Sequence, residues 1–188
     1  MYLQLIINVH KNYFLYIILI GLLVLALIST KYDLFYLLLA YMLFMPLLDG
    51  CRLNRDVIWL LFKKRGVLWL LCGSIAAFLA GQNIQLWQYF LITLAIAALP
   101  EEWFFRGYIQ DRLGNGVLAI LISSLLFSLV HVISISWMVG MLVFIPSLIY
   151  GYIYRKTGDI VLVILLHSLS NLIYKLYIYE WLVKMSII

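Results

Sequence analysis

Charged side chains are scarce in this chain: 13 Lys and Arg and 8 Asp and Glu among 188 residues, 11% in all. With a hydrophobic fraction of 66% and a mean hydropathy of +1.09, that scarcity excludes a water-soluble domain, which cannot hide so much apolar surface. Cysteine is nearly absent as well. Cys51 stands in a basic loop and Cys72 inside an apolar run, with neither disulfide nor metal-site spacing, so a disulfide scaffold and a cysteine zinc site are excluded and both read as free thiols. The period-two alternation of barrel strands is lacking, as are internal repeats, low-complexity tracts and any linker long enough to divide the chain. No small-residue cleavage site follows the first apolar run, so an uncleaved first span is expected. The net charge of +5 falls in short loops between apolar runs, which makes it a signal of orientation and not of nucleic-acid binding.

What is present is a series of apolar runs, several near the roughly 20 residues that a helix needs to cross a bilayer. They lie near Tyr13 to Ile28, Leu34 to Leu48, Gly66 to Gly81, Gln88 to Leu113, Val117 to Ile133, Met138 to Tyr154 and Ile160 to Tyr177. The expected fold is therefore all-α, a polytopic transmembrane helical bundle of about seven spans forming a single integral membrane domain over 1–188. Val57 to Phe62 is too short to cross alone and reads as an interfacial turn of helix or as the start of the third span. With the loops numbered alternately, Lys11, Arg52, Arg55, Lys63, Lys64, Arg65, Arg112, Arg155 and Lys156 fall on one side, and Lys31, Lys175 and Lys184 on the other. The positive-inside rule then sets the N-terminus in the cytoplasm and the C-terminus outside. The compact chain and its Lys, Ile and Asn usage fit a bacterial inner or plasma membrane.

Two kinds of residue read as scaffold. Tyr150, Tyr152, Tyr154, Tyr174, Tyr177, Tyr179 and Trp181 cluster at run ends as interfacial anchors. Gly21, Gly73, Ala76, Ala77 and Ala80 are small enough to let helices approach closely.

Against this background the segment Pro100 to Asn115 stands out, because ionisable groups at membrane depth are costly and mark function by default. At 1.5 Å per residue, Glu102 lies about 16 Å from the basic end of its span, His131 about 21 Å, His167 about 10 Å and Asn171 about 16 Å, so polar groups from three helices share one band. Gly114, Asn115 and Gly116 form a tight turn that makes the fourth and fifth spans antiparallel neighbours. Glu102 and Arg106 are four apart on one helical face, the spacing of a charge pair, for which a purely structural role is the lesser alternative. Glu101 points about 100° away and has no cation left. His167 and Asn171 are also four apart and face one cavity. Pro100 cannot donate to the Ile96 carbonyl, so a kink is expected there, beside a water-filled pocket opening on the inner, basic side.

An unpaired carboxylate beside a histidine in a low-dielectric pocket suits general-base work on water, and His167 with Asn171 can supply two donors to an oxyanion. No GxSxG, Ser-Lys or paired-Asp arrangement competes, and Ser168 and Ser170 have no evident base. Zinc is the rival: Glu101, His131 and His167 could bind it, although no HExxH helix is present. The expectation is no cofactor, with zinc as the alternative.

Glu101-Glu102-x-x-x-Arg106-Gly107, Phe127-x-x-x-His131 and His167-x-x-x-Asn171, in this order and on separate spans, resemble the three motifs of the CPBP family of membrane proteases. That family includes type II CAAX prenyl endopeptidases, bacteriocin-immunity (Abi) proteins and other intramembrane glutamic endopeptidases. The resemblance covers Gln88 to about Tyr174. It implies that Glu101 activates water together with His131, that Glu102 and Arg106 support it, and that His167 and Asn171 form the oxyanion hole. It also implies a membrane-associated peptide or protein substrate, prenylated or bearing a sorting signal or leader, cleaved near the cytoplasmic leaflet. Membrane lipid is the other expected partner; nucleic acid is not. The competing readings are a non-enzymatic immunity or peptide-binding protein and a small proton-coupled transporter, since buried Glu and His are typical of transporters too.

Overall fold

An apolar run in hydrocarbon must satisfy every backbone N–H and C=O from within itself, which an α-helix does. In the computed structural model each of the seven expected runs carries one: α1 Tyr2–Tyr32, α2 Phe35–Leu48, α3 Arg55–Ala80, α4 Ile84–Gln110, α5 Val117–Ser134, α6 Trp137–Thr157 and α7 Ile160–Tyr179. The structure describes residues 2–32, 34–51 and 55–179, with side chains from residue 14 onward apart from 55–57. Arg52, Trp181 and Lys184 thus lie outside the described residues, as do the side chains of Lys11 and Arg55. There is no strand among the described residues. Phe14–Tyr32 of α1, α4, α5, α6 and α7 are long and apolar enough to cross a membrane; α2, with 14 residues, is shorter. The Val57 to Phe62 segment is the start of the third helix, because α3 runs unbroken from Arg55, and its uncharged part extends only from Gly66 to Ala80. The bundle is an integral membrane protein, its outward faces formed by side chains such as Phe78, Val67, Val117 and Leu118.

α4 is the element on which the others close. Its basic-end half packs Phe104, Phe105, Tyr108 and Ile109 against Ile18 and Leu22 of α1, Leu38 and Met42 of α2, and Phe127 and Val130 of α5. Its other half packs Phe90 against Ala76 of α3 and Leu169 and Leu172 of α7. Ser168 of α7 donates to the Phe90 carbonyl at 3.0 Å and lies 3.3 Å from the Thr93 hydroxyl, which ties α7 to α4. The α4–α5 turn forms as expected, with Gly114 at φ 88° and Asn115 at φ 51° in the left-handed region.

One end of the bundle collects the described Lys63, Lys64, Arg65, Arg112, Arg155 and Lys156 and is laced by polar contacts. Trp69 donates to Asp159 at 2.9 Å, Tyr154 to Asp111 at 2.7 Å and Tyr108 to Asp49 at 2.8 Å; Arg112 pairs with Asp49, and Arg65 donates to the Thr157 carbonyl. Two scaffold readings change here. Tyr150 and Tyr154 are buried, so they are not interfacial anchors, whereas Tyr152, Tyr177 and Tyr179 are exposed as anchors should be. Gly73 faces open space, while Gly21 admits the Tyr41 hydroxyl, which donates to the Ile18 carbonyl at 2.8 Å.

A close helix approach is at Gly140 of α6, a residue not among the expected packing positions. A Cβ there would lie 2.9 Å from the Ser128 carbonyl oxygen and against the Val132 side chain, and the Ser128 hydroxyl donates to the Gly140 carbonyl at 2.6 Å. Replacing Gly140 with Ala is expected to cost about 1–3 kcal/mol, because backbone must move. Gly73→Ala, with nothing within 4 Å, should gain about 0.5–1 kcal/mol from helix propensity. Opposite shifts in thermal unfolding midpoint in detergent check the pair.

Candidate active site

Pro100 organises the backbone of the site. It offers no N–H to Ile96, and the helix answers by widening: 93–98 is π-helical, with the Leu99 N–H reaching the Leu94 carbonyl five residues back, and 103–110 is π-helical again. The expected kink is thus realised as a pair of π segments, and Glu101 and Glu102 occupy the short α-helical piece between them, Leu99–Glu102.

The two glutamates face different surroundings. Glu102 is fully buried: its Oε2 accepts from Arg106 Nε at 3.0 Å and its Oε1 meets His167 Nδ1 at 2.8 Å. The guanidinium, equally buried, also donates through Nη1 to Ser123 at 3.0 Å and through Nη2 to Ser147 at 2.7 Å, while the Ser123 hydroxyl donates to the Phe105 carbonyl at 2.8 Å. Glu101 makes no side-chain hydrogen bond to any described residue; its Oε2 lies 3.8 Å from His167 Nε2. His167 therefore bridges both carboxylates. Two carboxylates stand against one guanidinium, so Glu101 has no cation of its own once Glu102 has taken Arg106.

Both histidines are fixed in the plane of their rings. His131 Nδ1 lies 2.9 Å from the Phe127 carbonyl, which can only accept, so Nδ1 donates there and Nε2 is left without a hydrogen bond to any described residue. Phe127 stands against His131 at 4.4 Å between centroids and edge-on to His167 at 6.0 Å. Tyr150 stacks on His167 at 5.5 Å and donates to Ser170 at 2.6 Å.

Above this constellation lies a cavity of about 730 Å³, within the range of substrate sites. Glu101, His131, His167 and Asn171 line it; Glu102 and Arg106 do not, and form its floor. All six expected site residues are thus gathered, four facing the cavity and two beneath it. His167 Nδ1 is engaged by Glu102, while Nε2 stands 3.8 Å from Glu101 on the cavity side. One reading of the sequence needs correction. The cavity opens away from the basic end, not toward it: its lining stops at Glu101 on α4, because the next turns are occupied by tightly packed Phe104, Phe105, Arg106 and Tyr108.

Ser123, Ser147 and Tyr150 were not apparent from the chain's polar pattern. Ser123 had a signal: with Phe127 and His131 it repeats every four residues on one face of α5. Ser147 and Tyr150 had none, since their roles depend on how α6 docks. No three described His, Cys, Asp or Glu groups come together as a metal-holding set. Neither free cysteine lines the cavity, and burial pushes the Cys51 thiol up, which makes it a poor nucleophile.

Residues 82–173 match the model of the family described as type II CAAX prenyl endopeptidase Rce1-like. That segment, just under half of the chain, spans the cavity and all six residues, and through it the chain is similar to the CAAX protease family. No curated protein and no solved structure matches the chain.

Arg106 uses three different nitrogens on three partners, which an ammonium cannot reproduce. Arg106→Leu should therefore destabilise the protein by about 3–5 kcal/mol by stranding Glu102, and Arg106→Lys should recover less than half of that. Unfolding in detergent, followed by helix content, measures both.

Proposed function

We propose that the chain is an intramembrane endopeptidase that hydrolyses a peptide bond in a membrane-associated substrate, with Glu101 and His131 activating water. The observation that carries this reading is the contrast between two adjacent carboxylates: Glu102 is consumed by Arg106 and His167, while Glu101 is buried, free of hydrogen bonds from described residues, and faces the cavity. A prenylated, sorting-signal or leader-bearing peptide is the substrate class in keeping with the family, embedded among membrane lipids.

In this mechanism water sits between the Glu101 carboxylate and His131 Nε2. Glu101 takes its proton as the oxygen attacks the scissile carbonyl carbon, and a tetrahedral intermediate forms. The Asn171 amide, aimed into the same cavity, donates to the oxyanion. Glu101 then passes the proton to the amide nitrogen, the C–N bond breaks, and a carboxylate and an amine are released. His167, held by Glu102 below and Tyr150 alongside, fixes the Glu101 carboxylate through the 3.8 Å contact. No step calls on a metal. In this reading the N-terminus is cytoplasmic, which the loop charges support, and the membrane is bacterial, in keeping with the chain's Lys, Ile and Asn usage.

Glu101→Gln should lower turnover by about 10²–10⁴-fold, and Asn171→Ala by about 10²–10³-fold, both with folding intact. The measurement is a comparison of protein termini in membranes carrying the wild-type chain or the variant. Unchanged cleavage in Glu101→Gln would sink the enzymatic reading and leave a peptide-binding or immunity role. Activity should also survive EDTA; loss that zinc restores would overturn the metal-free mechanism.

A further inference from the structure

The cavity is one-sided. On α4 its lining runs Tyr89, Thr93, Ala97, Glu101 and then stops; at 1.5 Å per residue this wall is about 18 Å tall. α5 and α7 contribute only from Phe127 and His167 onward, α6 only as far as Tyr150, and α2 only its first residue, Phe35. Every one of these stretches lies between the level of the two histidines and the end of the bundle opposite Lys63, Lys64, Arg65, Arg112, Arg155 and Lys156. Beneath that level Phe104, Phe105, Arg106, Gln110, Ser123 and Val163 are all 0% exposed, so no aqueous path continues to the basic end.

The positive-inside rule assigns the basic end to the cytoplasm, since nine basic residues of the sequence fall there against Lys31, Lys175 and Lys184 on the other side. We infer that the site is loaded from the non-cytoplasmic side of the membrane: its substrate is a peptide segment lying outside the membrane or in its outer leaflet, such as part of an exported protein, and not a cytoplasmic tail. This rests on the proteolytic reading for the nature of the substrate, but its geometry stands apart from the chemistry. The expectation of cleavage near the cytoplasmic leaflet is thereby replaced. Water reaches Glu101 by the same route as the peptide, and both products leave through the same mouth.

Site-directed labelling tests this without knowledge of the substrate. In a Cys51→Ala, Cys72→Ala background, single cysteines are placed at Ile178 on the cavity rim, at Ala97 one turn outside Glu101, and at exposed Lys156. A charged, membrane-impermeant thiol reagent added to intact cells should modify Ile178→Cys and Ala97→Cys, and Lys156→Cys only after permeabilisation. Labelling of Lys156→Cys in intact cells, or of Ala97→Cys only after permeabilisation or not at all, would overturn the inference. The termini that change between wild type and Glu101→Gln give the second arm. They should fall in externally exposed segments, and changes confined to cytoplasmic tails would also overturn it. Should Glu101→Gln change no termini while the labelling pattern holds, the proteolytic reading fails and the sidedness stands.

Discussion

A guanidinium and a carboxylate, both without solvent, sit 3.0 Å apart on one helix, and the chain is arranged to make that tolerable. Neither Glu102 nor Arg106 could be kept charged among lipids alone. The pair survives because Ser123 of α5, Ser147 of α6 and His167 of α7 saturate what the two leave open, so three helices are drawn to a single point on α4. A buried ion pair is a poor source of net stability. Its value here is positional: it fixes the imidazole whose other nitrogen faces Glu101.

The backbone of α4 does the complementary work. Across the two π segments on either side of Leu99–Glu102 residues four apart keep one face: Tyr89, Thr93, Ala97 and Glu101 line the cavity, and Glu102 meets Arg106. Glu101 turns to the cavity while its neighbour stays below. The aromatic layer of Phe104, Phe105 and Phe127 closes around the ion pair, with the Arg106 guanidinium 5.7 Å from the Phe127 ring centroid. Packing and electrostatics thus act at the same level of the membrane.

Much of this was readable in advance where the governing interaction is local. Apolar runs punctuated by charge mapped one for one onto seven helices, because in hydrocarbon a long apolar run has few alternatives. The Glu102–Arg106 pair was readable from its spacing, and the separate fate of Glu101 from its 100° offset. What depends on helices meeting was not. The hydroxyl of Ser147 looks like any other in an apolar helix until α6 docks. Tyr150 and Tyr154 look like interfacial anchors by their place in the run, yet neighbours bury them. Pro100 announced a disturbance of the helix but not its form, since kink and π-widening both answer a missing N–H. The mouth of the cavity was misjudged for the same reason: it depends on which side of Glu101 the large aromatic residues fill.

The packed floor has a meaning for the cell as a whole. A hydrolase needs water deep in the bilayer, and a wet cavity that ran right through would be a conduit for protons and would discharge the ion gradients that the membrane exists to hold. Ending the cavity on a neutralised ion pair and a layer of aromatic rings keeps an insulating barrier beneath the reacting water. The membrane is thinned electrically from one side and never breached.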